Sequence, residues 1–167
     1  MQLEIPQPQV WFPRFLQPGK HDIPALKSGM RYVMHRIDAK YRVPYSVAEH
    51  APGSFQELKA ASTSQLVIYA GASDRTIYGE PSVNWAQRAI HDTLHLELSA
   101  GTDPLGELRV ALAQALEVAR VSGDVLADFA FCDTAGQTWA TQKFGCFPVD
   151  QVGFVMELIT TGRIELY

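Results

Sequence analysis

The stretch from Ser82 to Ser122 constrains the fold more than any other part of the chain. Apolar residues recur there at three- and four-residue spacing, and only Ser99-Ala-Gly-Thr-Asp-Pro104 interrupts them. Side chains so spaced share one face of an α-helix. Val83, Ile90, Leu94 and Leu98 mark the buried side of a first helix over about 82–99, with Gly101 expected to stop it. Asp103 can then cap a second helix over about 104–122, with Pro104 at the one helical position that favours proline and Leu108, Leu112, Ala115, Leu116 and Ala119 toward the core. A connection this short predicts that the two helices pack antiparallel.

The flanking segments follow the same logic. Asp22 can cap a helix carrying Leu26, Met30, Val33, Ile37 and Tyr41, ending before Pro44. Ser54 followed three residues later by Glu57 has the spacing of a capping box and predicts a second, short helix. The period then changes: Gln65-Leu-Val-Ile-Tyr69 is β-branched and apolar, and Thr76-Ile-Tyr78 before Gly79 is its expected partner, so a small sheet or hairpin is placed at about 64–79. Beyond Gly123 the apolar clusters Val125–Phe131 and Val152–Ile159 predict further helix, with breaks at Gly136, Gly145 and Pro148. Four prolines before Lys20 predict an extended arm over 1–20, docked through Trp11, Phe12, Phe15 and Leu16. Residues 21–167 form one globular unit of α+β class, mainly helical, with the helical hairpin at its centre.

With 167 residues, 47% of them apolar, a core can be built without staples. A net charge of −4 with fourteen scattered Lys and Arg argues against strong nucleic-acid binding. The absence of a leader or of about 18 uninterrupted apolar residues leads to the expectation of a cytoplasmic, non-membrane protein. Cys132 and Cys146 are too few for a disulfide scaffold; reduced thiols are the default, with one bridge left open.

The chemistry concentrates on the first helix of the pair. His91 and His95, four apart, project from one face as the two imidazoles of an H-E-x-x-H zinc helix do, with Asp92 in place of Glu. Asn84 and Arg88 extend this polar stripe upward. In an antiparallel pair Glu107 comes level with His95 and Gln114 level with His91, at 1.5 Å of rise per residue. Two imidazoles and a carboxylate suit Zn²⁺, or alternatively Fe²⁺ or Mn²⁺. The bland alternative is a pair of hydrogen-bonded imidazoles and a plain ion pair. A second metal pattern, that of HD phosphohydrolases, would use His50 with His91, Asp92 and Asp124 or Asp128, but the intervening stretch reads as strands and turns where that fold needs helix. The glycines of Gly71–Gly79 lack a phosphate-loop lysine and read as a turn.

Arg88-Ala-Ile-His-Asp-Thr-Leu-His95, Gly106-Glu107 and Asp133-Thr-Ala-Gly-Gln137 together resemble a family of uncharacterised tailed-bacteriophage proteins, over about Ser64 to Phe154. Its recurring elements are an R-A-x-H-D helix with a further His, a Gly-Glu opening the next helix, and an acidic-x-x-Gly-Gln segment. Many relatives carry the second His one residue later and Glu at the position of Asp133. The resemblance implies a phage origin, expression in a bacterial host, and His91, Asp92, Glu107 and Gln137 as converging polar groups.

The expectation is therefore a metal-dependent hydrolase of a small or phosphorylated substrate. His91, His95 and Glu107 are its ligands; Asp92, Arg88 and Asp133 serve as proton-transfer and anion-holding groups, with Gln114, Gln137 and Asn84 around them. The rival is a non-catalytic phage accessory or virion protein that binds a host protein or its own copies through the aromatic arm.

Overall fold

The computed structural model describes residues 23–62 and 65–161. The expected arm over 1–20 and the Asp22 cap lie outside them. The elements run α1 (Ile23–Tyr41), β1 (Tyr45–Ala48), α2 (Phe55–Ala61), β2 (Leu66–Tyr69), α3 (Pro81–Leu98), α4 (Pro104–Ser122), α5 (Asp124–Phe144) and α6 (Gln151–Thr161). Mainly helical α+β architecture with one small sheet is thus what the sequence produces.

Local chemistry places the helix starts. Ser54 Oγ accepts from Glu57 N at 3.3 Å, while the Glu57 carboxylate turns back to Gly53 N at 2.8 Å. Asp103 Oδ1 accepts from Leu105 N and Gly106 N at 3.1 and 3.2 Å, with Pro104 entering the first turn. These bonds satisfy amides that the helix itself leaves without partners.

The sheet differs from the expected hairpin. β1 and β2 pair in parallel, Tyr45 opposite Leu66 and Ala48 opposite Tyr69. Parallel strands need a long crossover, and α2 supplies it. Thr76, Ile77 and Tyr78 form no strand; they lie buried in the loop between β2 and α3. Leu66 and Ile68 pack with Leu58 and Ala89, a small cluster that seats the sheet on α3.

The main core gathers residues of α1, α3, α4, α5 and α6, among them Met30, Val33, Ile37, Ile90, Leu94, Val110, Val118, Phe129 and Val155. Two expectations for the later helices are corrected. On α4 the buried face is Gly106, Val110, Ala111, Gln114, Ala115, Glu117 and Val118, whereas Leu108, Leu112 and Leu116 are 38%, 53% and 51% exposed. Apolar residues lie on more than one side of α4, so periodicity could not choose a face; Gln114 goes inside where Thr134 donates to it, and Glu117 is covered by the largely exposed Lys40 and Arg120 that pair with it. On α5, Gly136 does not break the helix. A Cβ there would stand 2.8 Å from Leu158 and 3.0 Å from Phe154, so the glycine leaves room for these α6 side chains against α5. Gly145, with φ of 75°, is the residue that ends α5. Similarly, α3 ends through Ser99 in the left-handed region (φ 47°) rather than through Gly101.

Candidate metal centre

Three side chains from α3 and α4 meet at their tips. His91 Nε2 lies 3.0 Å from His95 Nε2, and the Glu107 carboxylate spans both, Oε2 at 3.4 Å from His91 and Oε1 at 3.5 Å from His95. One ligand atom from each residue falls within 4.8 Å of the others, and among the described residues this is the one such group of three His, Cys, Asp or Glu. His95 is buried; the His91 and Glu107 side chains are each 17% exposed, so the cluster sits at the edge of the core with a path to solvent.

The local fold explains the convergence. One helical turn separates His91 from His95 and sets their rings edge to face, centroids 4.7 Å apart. Glu107 arrives because α4 begins directly against the preceding loop: a Cβ on Gly106 would stand 1.8 Å from the Gly101 carbonyl oxygen. Only glycine permits that approach. The same loop serves His95. Ala100 N donates to the His95 carbonyl at 3.0 Å, and the Ala100 carbonyl accepts from His95 Nδ1 at 2.9 Å.

That last bond assigns the tautomer. A carbonyl only accepts, so His95 Nδ1 carries the proton and, in the neutral ring, Nε2 presents its lone pair to His91 and Glu107. A backbone carbonyl behind an imidazole is a common way to aim a metal-binding nitrogen. His91 has no such partner: its Nδ1 is buried without a hydrogen bond.

Charge is concentrated here as well. Burial raises the Glu107 carboxyl, but hydrogen bonds and positive charge from His91 and His95 outweigh it and hold the group at about 2. For His95 burial acts downward, yet Glu107 and the Ala100 carbonyl prevail and the ring stands above its ordinary value. Burial pushes the neighbouring Asp92 carboxyl up against the opposing pull of the two histidines. An anionic carboxylate between two imidazoles is the donor set a divalent cation needs, a harder oxygen and two borderline nitrogens.

The other residues singled out by sequence take different places. Arg88, expected to hold an anion, instead donates NH1 to the carbonyls of Tyr69 and Gly71 at 2.7 and 2.9 Å, fastening the loop after β2 onto α3. Asn84 donates to Ser73 Oγ at 3.0 Å in the same loop, and Trp85 Nε1 to the Ala70 carbonyl. Gln114 is buried beside Thr134, its Oε1 accepting at 3.3 Å. Asp133 is buried on α5, accepting from Gln137 Nε2 at 2.6 Å; burial pushes its carboxyl up to about 7 against the opposing pull of Gln137, Tyr78, Arg88 and His91. His50 is exposed at the end of the strand segment and is not a member of the cluster. Cys132 and Cys146 are both free, one buried and one exposed. Tyr78 was not singled out by the sequence: it is fully buried in the β2–α3 loop, where burial, first, and the Asp133 carboxyl raise its hydroxyl well above the ordinary value. No family model, curated protein or solved structure matches the chain.

Proposed function

We propose that the protein is a metal-dependent hydrolase in which His91, His95 and Glu107 hold one divalent cation, Zn²⁺ or alternatively Fe²⁺ or Mn²⁺. The supporting observation is the meeting of two Nε2 atoms and one carboxylate at a single point, with the His95 tautomer already set by Ala100. Three protein ligands leave coordination positions for water and substrate, the pattern of catalytic rather than structural zinc. When bound, the ion supplies Lewis acidity, lowering the pKa of water toward 7 and polarising a carbonyl or phosphoryl oxygen.

The chain's own residues do the rest. Glu107 neutralises part of the ion's charge, and His95 is held rigid from behind. Asp92, half-buried beside the ligands with its carboxyl raised by burial, is the group placed to take and return a proton. Arg88 acts structurally, holding the β2–α3 loop against the helix. The substrate class is a small or phosphorylated molecule able to enter beside His91 and Glu107.

The test is metal content and its consequence. Full-length protein stripped with chelator and titrated with Zn²⁺ should take up one equivalent, and its melting free energy should rise by about 2.7 kcal/mol at a hundredfold excess over Kd. The variants H91A and H95A should lose both effects, together with hydrolysis of p-nitrophenyl phosphate or acetate. A wild-type chain that takes up less than about a tenth of an equivalent and melts identically with and without chelator overturns the assignment, and leaves the non-catalytic accessory protein as the better account.

A further inference from the structure

Four leucines of α4 stand in water. Leu105, Leu108, Leu112 and Leu116 are 54%, 38%, 53% and 51% exposed, although they recur at the three- and four-residue spacing of a packed helix face. That spacing puts them on one side of α4, opposite the buried Val110, Gln114 and Val118. Arg109 and Arg120, both exposed, border the stripe. Together the leucines leave on the order of 300 Å² of apolar side chain uncovered, the size of patch that a monomeric protein keeps for a partner.

Where the chain enters the structure indicates what covers this face. Helix α1 lies along α4 in the opposite direction. A Cβ on Gly29 would stand 3.0 Å from Leu126 Cδ1, just past the corner between α4 and α5, while Lys40 in the last turn of α1 pairs with Glu117. The residues that precede Ile23 therefore join at the C-terminal end of α4, where Ile23 and Val125 are 39% and 50% exposed and continue the apolar surface. That preceding segment carries Trp11, Phe12, Phe15 and Leu16. Extended chain advances about 3.3 Å per residue, so Phe12 has a reach of about 36 Å from Ile23. Leu112 lies only about 15 Å back from the end of α4 at Ser122, at 1.5 Å of rise per residue. The six residues after Thr161, by contrast, leave from α6, which packs on α5.

We propose that Trp11, Phe12, Phe15 and Leu16 cover the outer leucine face of α4 in the same chain, so that the N-terminal segment folds back along this helix. Aromatic rings suit the stripe twice over, burying flat area on the leucines and offering π faces to the guanidinium groups of Arg109 and Arg120. A second folded copy fits less well, because stable association buries roughly 800 Å² per partner and the leucine stripe supplies well under half of that. The interaction goes beyond the metal reading and is independent of it: Glu107 meets the histidines of α3 from the inner side of α4.

The experiment uses the full chain. With the exposed Cys146 replaced by serine (C146S) and Cys132 buried, the pairs F12C/L112C and F12C/Y32C are oxidised with glutathione disulfide; Tyr32, 60% exposed on α1, is the control. The first pair should form an intramolecular disulfide at least tenfold faster than the second. Thermal melts supply an independent reading. F12A should lower the melting temperature by about 2–6 °C in the wild-type background and by under about 1 °C in L112D, where the docking face is already spoiled. Equal crosslinking of the two pairs, or an F12A loss undiminished in L112D, overturns the proposal. So does crosslinking only between molecules, together with a sedimenting dimer that L112D dissociates, which would give the face to a second copy. Should the melting variants fold poorly, the crosslinking rates alone decide.

Discussion

Replacing Gly106 by alanine is the sharpest test of how α4 delivers Glu107. In an unconstrained helix, alanine is better than glycine by about 1 kcal/mol, so from the sequence alone G106A should stabilise the protein. The structure predicts the reverse. The new Cβ would stand 1.8 Å from the Gly101 oxygen, 2.7 Å from its carbon and 2.9 Å from its nitrogen. The approach to the oxygen is about 1.5 Å short of van der Waals contact, and it is made to backbone, which cannot swing aside as a side-chain tip can. Either the 99–102 loop moves or the first turn of α4 does. The first movement pulls the Ala100 carbonyl from His95 Nδ1; the second withdraws Glu107 from both histidines and disturbs the Asp103 cap. Overpacking of this kind costs about 1–3 kcal/mol, and a cap or a buried hydrogen bond lost with it adds about 1 kcal/mol. A net loss of about 3 kcal/mol lowers the melting temperature of a chain this size by roughly 6–12 °C. Urea and thermal melts of the metal-free protein measure this directly, and zinc competition should show weakened binding in parallel. A G106A protein as stable as wild type, with undiminished zinc affinity, would refute the proposed seating of α4 against the loop.

Two further predictions address the core and the cluster. I90A removes a side chain that is 1% exposed and should cost about 2–5 kcal/mol, whereas L112A acts on a leucine 53% exposed and should cost well under half as much in the same urea melts; equal losses would mean that the inner face of α4 has been misassigned. Glu107 titrates near 2 in the folded chain, below its ordinary value, so its stabilising contribution is present above pH 4.5 and fades as pH falls toward 2. The stability gap between metal-free wild type and E107Q should therefore be largest between about pH 5 and 6.5, shrink below as Glu107 takes up its proton, and shrink above as His95 loses the charge that Glu107 stabilises; a gap that grows on acidification below pH 5 contradicts the ion cluster.

What was legible in the sequence was local. Ser54 and Asp103 announce their helices because a cap needs only the next two or three amides, and Gly145 ends α5 where the chain turns left-handed. His91 and His95 could be placed together because one helical turn separates them, and Glu107 beside them because the connection between α3 and α4 is short. Elsewhere equal-looking local signals had different outcomes. Gly101 resembled a helix stop, yet Ser99 takes the left-handed turn; Gly136 resembled a break, yet α5 runs through it. Leu66–Tyr69 was recognisable as a strand, but its partner came from Tyr45–Ala48 rather than from the adjacent Thr76–Tyr78.

The amino-acid order by itself determined the helix starts, the spacing of the paired imidazoles and the supply of apolar surface for a core, since each depends on neighbours within a turn or two along the chain. Only the tertiary structure decided which side of α4 is buried, which strands pair, that Arg88 clamps a loop, and that Tyr78 and Asp133 are buried. Those outcomes depend on which distant groups arrive to satisfy a buried amide, carboxylate or hydroxyl, and a buried polar group is stable only where such a partner reaches it.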